Sequence, residues 1–298
     1  MMTAARIAGV GIAALAVVCP GALPWAASTI EPDAPYVDTP PAVVEAMLDL
    51  AEVGPRDFVI DLGSGDGRIV IMAATKRGAR GLGVDIDGDL VSAARREARR
   101  QGVADRVTFV EENLFVTDLR RASVLTLYLH SGVLAQLRPR LFSDLRPGTR
   151  IVSHDFGISG WKPDRDIVVP APGKIYGPPR SDVYLWIVPA NAAGTWRWRG
   201  VLGGRPAEGE LSLTQNFQML TGRAVIGGVA ARVEGGRMRG DAIRLVIGSG
   251  AKGRLPRHEF DGRVEGDAIR GTVTIAGTAQ DWQATRTQRG TITLIGDH

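Results

Sequence analysis

Short apolar runs of strand length alternate with helix-patterned segments between residues 57 and 188. Phe58-Val59-Ile60 reads as a strand, and the apolar run Ile69 to Ala74 opens a helix after a glycine-rich turn. Gly81-Leu82-Gly83-Val84-Asp85 is a short second strand. From Leu90 to Gln101, Leu90, Val91, Ala94 and Ala98 share one face and arginines the other, and Gly102 suits a helix C-cap. Arg106 to Val110 predicts a third strand, Ala122 to Leu129 a buried fourth, Leu134 to Leu145 a helix, Arg150 to Phe156 a fifth strand and Ser181 to Val188 a later one. Strands and helices in this order predict an α/β fold, a Rossmann-like doubly wound and mostly parallel sheet. Pro170 to Pro179 holds four prolines and predicts a surface loop.

The turn between the first strand and helix is Asp61-Leu62-Gly63-Ser64-Gly65-Asp66-Gly67-Arg68. It sets exposed N–H groups and a helix N-terminus at the strand's carboxyl end, where α/β sheets bind ligands. Asp61 argues against a phosphate cradle, and no Gly-Lys-Ser/Thr ending follows. Asp85 lies 18 residues after Gly67, the spacing at which a βαβ unit offers a carboxylate to ribose hydroxyls. A carboxylate pair at this place suits a ligand with a positive centre and hydroxyls, as S-adenosylmethionine (SAM) is. The predicted cofactor residues are Asp61, Gly63, Ser64, Gly65, Asp66, Gly67 and Asp85, with Asn113 and Leu114 after the third strand on the adenine side.

These segments, together with Pro35-Tyr36-Val37-Asp38-Thr39-Pro40, Leu127-Tyr128-Leu129 and Pro147 to Ser153, resemble the class I, seven-strand SAM-dependent methyltransferases. The resemblance is strongest to the protein-lysine group that includes the ATP synthase c-subunit lysine methyltransferases and their archaeal relatives. It covers about residues 35–188. Asp38 stands where that group usually has Pro, Asp85 where it often has Glu, and Asn113 where it often has Asp. The resemblance implies a SAM-dependent enzyme acting on a lysine of a protein substrate, with a small-molecule acceptor as the alternative. SAM carries its own activated methyl, so the protein mainly positions a nucleophile. A lysine nucleophile must shed its proton against a reference pKa near ~10.4, which a closed, desolvated pocket favours. Tyr36 and Tyr128 are the candidates to line that pocket as catalytic residues; ordinary packing is the alternative for each. His154 and Asp155 end the fifth strand at the same face, as an acid–base pair or a structural one.

Other chemistries find little support. The four histidines, at 130, 154, 258 and 298, have no ligand spacing, so no metal is expected. The single Cys19 excludes a disulfide framework. Ser64 lies in Gly-Ser-Gly and not in a Gly-x-Ser-x-Gly elbow. No nucleic-acid motif appears, and the arginines are dispersed.

Residues 1–28 form a separate element. Arg6, an apolar run from Ile7 to Val18 and Ala26-Ala27-Ser28 follow the order of a signal peptide or membrane anchor. This predicts an exported or membrane-tethered protein, with membrane association through the N-terminus. SAM supply in the cytosol pulls the other way and keeps a cytoplasmic location open. With no cofactor outside the cell, an exported non-catalytic binding module is the competing function. From about residue 195 the pattern changes to short alternating runs with glycine turns, such as Ala242 to Ile247 and Gly271 to Ile275. Arg232-Val233-Glu234-Gly235 recurs as Arg263-Val264-Glu265-Gly266. This predicts a small antiparallel β domain, a meander or small barrel, over 195–298 after a catalytic domain at 35–190, with Asn191-Ala192-Ala193-Gly194 as the linker. The net charge is +5 in residues 195–298, from 15 basic and 10 acidic residues, and −1 in the rest. Only four of the 36 basic residues are lysine, at 76, 162, 174 and 252.

Overall fold

The computed structural model describes residues 36–202, 204–248 and 255–295. The signal-peptide or anchor segment expected at 1–28 lies outside the described residues. Among the described residues, no helix is long and apolar enough to cross a membrane.

The first sheet has seven strands. They are β1 (Phe58–Leu62), β2 (Arg80–Asp85), β3 (Val107–Glu111), β4 (Val124–Leu127), β5 (Arg150–His154), β6 (Arg165–Pro170) and β7 (Arg180–Ile187). Their order is β3-β2-β1-β4-β5-β7-β6. The first five run parallel, and β7 pairs antiparallel with β5 and β6. Four helices accompany them: α1 (Pro41–Leu50), α2 (Arg68–Arg77), α3 (Gly88–Arg100) and α4 (Ser131–Ser143). Burial on both faces explains the continuous apolar strands: all four residues of β4 are buried. The strand order reverses between β1 and β4, which opens a crevice at the carboxyl ends of these strands.

Helix boundaries follow local chemistry. Asp87 caps α3 by accepting from the N–H groups of Asp89 (2.9 Å) and Leu90 (3.2 Å), so the helix starts two residues before the apolar periodicity does. Gly102 takes a left-handed φ of 69° beyond the end of α3, as expected of a glycine there. The edge strand β6 was not expected from the sequence. Its Ile167-Val168-Val169 core is short and ends at Pro170, which an edge position tolerates.

The second sheet is an antiparallel meander: β8 (Gly194–Leu202), β9 (Arg205–Asn216), β10 (Met219–Ile226), β11 (Val229–Arg239), β12 (Ala242–Ile247), β13 (His258–Glu265), β14 (Ala268–Ile275) and β15 (Thr278–Arg289). Each strand pairs with the next, and β15 returns to pair with β8, closing an eight-stranded up-and-down barrel. The alternation predicted from sequence fills the interior with Trp196, Trp198, Leu245, Phe260, Ile269 and Trp282. A short β16 (Ile292–Thr293) adds in parallel to β9.

Asn191 to Gly194, the expected linker, is held by the barrel. Arg286 donates to the carbonyls of Ala193 and Asn191 (2.5 Å each) while lying 4.0 Å over the Trp196 ring. The Ala192 N–H donates to Gln215 (2.7 Å). Partners far along the chain take up its backbone groups. The barrel sits against the amino-terminal end of the first sheet. The Ala190 N–H donates to the Gly240 carbonyl (2.7 Å), Gln218 to the Lys162 carbonyl (2.7 Å), and Phe217 stacks on Trp161 at 5.9 Å between centroids.

Candidate active site

The glycine-rich turn is shaped by what lies under it. Gly63, Gly65 and Gly67 all have positive φ, of 73°, 53° and 80°. A Cβ on Gly67 would meet the Phe109 ring at 2.6 Å, and one on Gly83 of β2 would meet the same ring at 2.4 Å. Phe109 of β3 thus fills the space that side chains at these positions would need. The carboxylate of Asp85 accepts from the Gly65 N–H (2.7 Å), tying the turn to the end of β2.

Asp61 is buried to 2 % exposure at the end of β1. One carboxylate oxygen accepts from the Thr126 hydroxyl (2.6 Å), and the other, Oδ2, is buried without a partner among the described residues. The Ser64 hydroxyl is likewise buried and unpartnered. Burial pushes the Asp61 acid up to about 7; the charges of Asp85 and Asp66 push the same way, and Thr126 opposes them. An unpaired acceptor at this depth costs free energy unless a donor reaches it. A ligand carrying ammonium or hydroxyl donors fits this pair of orphaned atoms.

The segment before α1 covers the turn. Tyr36 lies so close that a Cβ on Gly65 would fall 2.1 Å from its ring. The ring remains 48 % exposed, and burial together with the Asp66 carboxylate pushes its hydroxyl up to about 12, so it stays protonated. Arg68 clasps the segment to the turn. It pairs with Asp38 (2.5 Å) and Asp66 (2.7 Å) and donates to the Thr39 carbonyl (3.0 Å). Asp38, where the resembled group usually has Pro, therefore has an ion-pair partner in Arg68.

Beyond β4, Tyr128 lies 3.9 Å between centroids from His154 of β5. His154 is fully buried, between the hydroxyls of Thr39 (3.2 Å) and Ser181 (2.7 Å). Burial lowers its pKa to about 4, with Asp155 opposing and Lys174 assisting, so the ring is neutral near pH 7. Desolvation also raises the Tyr128 hydroxyl. Asn113 uses its side-chain oxygen to accept from the Phe115 N–H (2.9 Å), and Leu114 packs against the sheet core. Arg140 of α4 donates to the carbonyls of Phe115 and Thr117 (2.6 Å each) and holds that turn.

The fold gathers Tyr36, Asp61, Ser64, Gly65, Asp66, Gly67 and Asp85 around one turn, and sets Asn113 and Leu114 after β3 and Tyr128 after β4 on the same end of the sheet. Sequence reasoning missed Thr126, Arg68, Thr39, Ser181 and Lys174. A lone hydroxyl within the apolar run of β4 was the available signal for Thr126. Thr39, Ser181 and Lys174, and Arg68 in its pair with Asp38, meet their partners across long sequence separations.

The ANTKMT methyltransferase domain family matches residues 61–165. A protein-lysine N-methyltransferase from Saccharolobus islandicus is 40% identical over 158 residues, 53% of this chain and 95% of that relative. The adenine nucleotide translocase lysine N-methyltransferase of Mus musculus is 37% identical over 130 residues, 43% of this chain and 56% of that relative. Among solved structures, an RNA methyltransferase from Salinibacter ruber in complex with S-adenosyl-L-homocysteine is 50% identical, covering 51% of this chain and 93% of that one at a TM-score of 0.46.

Proposed function

The chain belongs to the class I SAM-dependent methyltransferases, in the group that holds the protein-lysine N-methyltransferases, and from that premise we propose that it methylates the side-chain amine of a lysine in a protein. The observation that carries the site assignment is the buried, unpartnered Oδ2 of Asp61. In this reading Asp61 and the Ser64 hydroxyl receive donors of the methyl donor's amino-acid part, and Asp85 receives the ribose hydroxyls. The exposed N–H groups expected of the turn are taken up within the protein: those of Gly63 and Ser64 by the Val84 carbonyl, that of Gly65 by Asp85 and that of Gly67 by the Ser64 carbonyl. The turn therefore meets the ligand with its shape and its side chains, while Asn113 and Leu114 border the adenine. When bound, SAM supplies a methyl on a sulfonium, ready for transfer to a nucleophile.

The chain's own work is then positioning and water exclusion. Tyr36 and Tyr128 offer aromatic faces to an approaching ammonium and strip water from it, which lowers the cost of releasing its proton. The neutral His154 holds the Tyr128 ring without adding a repelling charge. The apolar segment within residues 1–28 supports a place at a membrane or in the envelope, with a membrane-protein acceptor close at hand.

Incubating the full-length protein with methyl-labelled SAM and an extract of cells lacking its gene should put the label into Nε-methyl-lysine after protein hydrolysis. Label appearing only in low-mass compounds would instead identify a small-molecule acceptor. No transfer, with SAM bound, would leave a binding module.

A further inference from the structure

The loop between β6 and β7 carries a lysine that the cofactor site does not use. Lys174 reaches back under its own loop, and its ammonium pairs with Asp155 just past β5. It also donates to the Arg180 carbonyl (3.0 Å), and its side chain is only 7% exposed. The loop's next residues, Ile175 and Tyr176, point outward and are 71% and 61% exposed.

Asp155 is an unusual place for a merely structural carboxylate. Its φ of 61° is left-handed, a conformation that non-glycine residues hold only when the surroundings impose it. Its backbone and side chain are both fixed on β7, by the Asp182 carbonyl (2.7 Å) and N–H (3.1 Å). The result is a carboxylate oxygen 3.4 Å from His154, whose ring lies on Tyr128. Leu129, the residue after Tyr128, packs on the glycine turn, since a Cβ on Gly63 would lie 3.0 Å from its side chain. Asp155 thus stands at the carboxyl end of β5, the same end of the sheet as the glycine turn, beside the His154 and Tyr128 rings.

The residue chosen to meet it is also informative. Four of the chain's 36 basic residues are lysine, and arginine serves the ion pairs of Asp38, Asp57, Asp144, Asp164 and Asp241. At 174 a compact ammonium replaces the planar guanidinium, and an ammonium is what a substrate lysine would bring.

We propose that Lys174 is an internal stand-in for the acceptor lysine, and that Asp155 is the residue that binds the substrate's ammonium once the 171–179 loop lifts. The inference rests on the lysine reading above. Asp155 acts on the charged form before its proton is lost, so its effect falls on acceptor binding, not on the transfer step. Lys174 competes for the same oxygen and lowers the apparent affinity by the fraction of molecules with the loop closed.

The test compares wild type with Lys174→Met, Lys174→Arg and Asp155→Asn, using the gene-deleted extract protein as acceptor at varied concentration. Lys174→Met should lower the half-saturating acceptor concentration about fivefold at unchanged maximal rate. Lys174→Arg should remain near wild type, because it still occupies Asp155. Asp155→Asn should raise half-saturation, with SAM affinity unchanged in all three and each variant fully folded at the assay temperature by circular dichroism. If wild type methylates lysine and Lys174→Met gains nothing or loses rate while folded, the pair is a structural clasp and the inference is wrong. If neither protein methylates lysine, the lysine reading falls and this inference falls with it.

Discussion

Asp61 shows how one buried atom couples stability, pH and ligand. Its folded pKa of about 7 lies above the 3.8 of a free aspartic acid, so folding favours the protonated acid. That contribution is complete below about pH 4 and is lost as pH rises through 7, by an amount of order 4 kcal/mol at about 1.4 kcal/mol per unit. His154 works in the opposite sense. Its pKa falls from 6.5 to about 4, so its contribution is present above pH 6.5 and lost as pH falls towards 4. In Asp61→Asn the stability of the full-length ligand-free protein, relative to wild type, should therefore rise between pH 4 and 8. Denaturant midpoints across that range measure it. The same substitution should weaken SAM binding at least about tenfold, the worth of a charged hydrogen bond. Wild type should release close to one proton on binding SAM near pH 6, read by calorimetry in buffers of different ionisation enthalpy, and Asp61→Asn none. A mutant with wild-type affinity and the same proton release would remove Asp61 from the site.

Among the elements, the glycine-rich turn is the most constrained, and its glycines differ in what constrains them. Gly67 faces the Phe109 ring and the Ala94 Cβ at 2.8 Å, both inside packed elements, and its φ is 80°. Gly65 faces only the partly exposed Tyr36 ring. Gly67→Ala should therefore cost about 2–4 kcal/mol of stability. Gly65→Ala should cost less and act on function, by displacing the Tyr36 cover and raising the half-saturating SAM concentration. Urea unfolding with parallel SAM titration separates the two, and equal stability losses would contradict the packing argument. This turn was legible in the sequence because local rules dictate it: glycine where φ is positive, acid at the ends of β1 and β2. The parallel strands were legible for a similar reason, being continuously apolar. The pocket around His154 was not. Its two hydroxyl partners lie 115 and 27 residues away, and no periodicity announces them. Barrel closure was one of two readings of the second sheet, a meander or a small barrel, since the alternation of β8 and β15 shows a buried face but not that these strands pair.

At the level of the whole molecule, the barrel and the catalytic sheet share core at the end remote from the glycine turn. Phe217, in the turn between β9 and β10, is buried in the core of the first sheet and contacts Trp161 and Phe142, the latter at 5.7 Å between centroids. Arg237 of β11 pairs with Asp164 (2.7 Å), whose side chain is 3% exposed. Removing the barrel would open an aromatic cluster of the catalytic half to water and leave Asp164 without that partner. Phe217→Ala should cost about 3–5 kcal/mol, as other large-to-small aromatic changes do. Truncation after Ala193 should lower the melting temperature further than this point mutation, because it removes the ion pair as well. Yet every proposed SAM contact precedes Tyr128, and the barrel contacts lie at the opposite end of the strands. Below its lowered melting temperature, the truncated protein should therefore bind SAM with near wild-type affinity. Circular dichroism fixes the folded fraction, and calorimetric titration at a temperature where that fraction is complete gives the affinity. A folded truncation that fails to bind SAM would mean that the barrel shapes the donor site through the length of the sheet, against the separation its contacts describe.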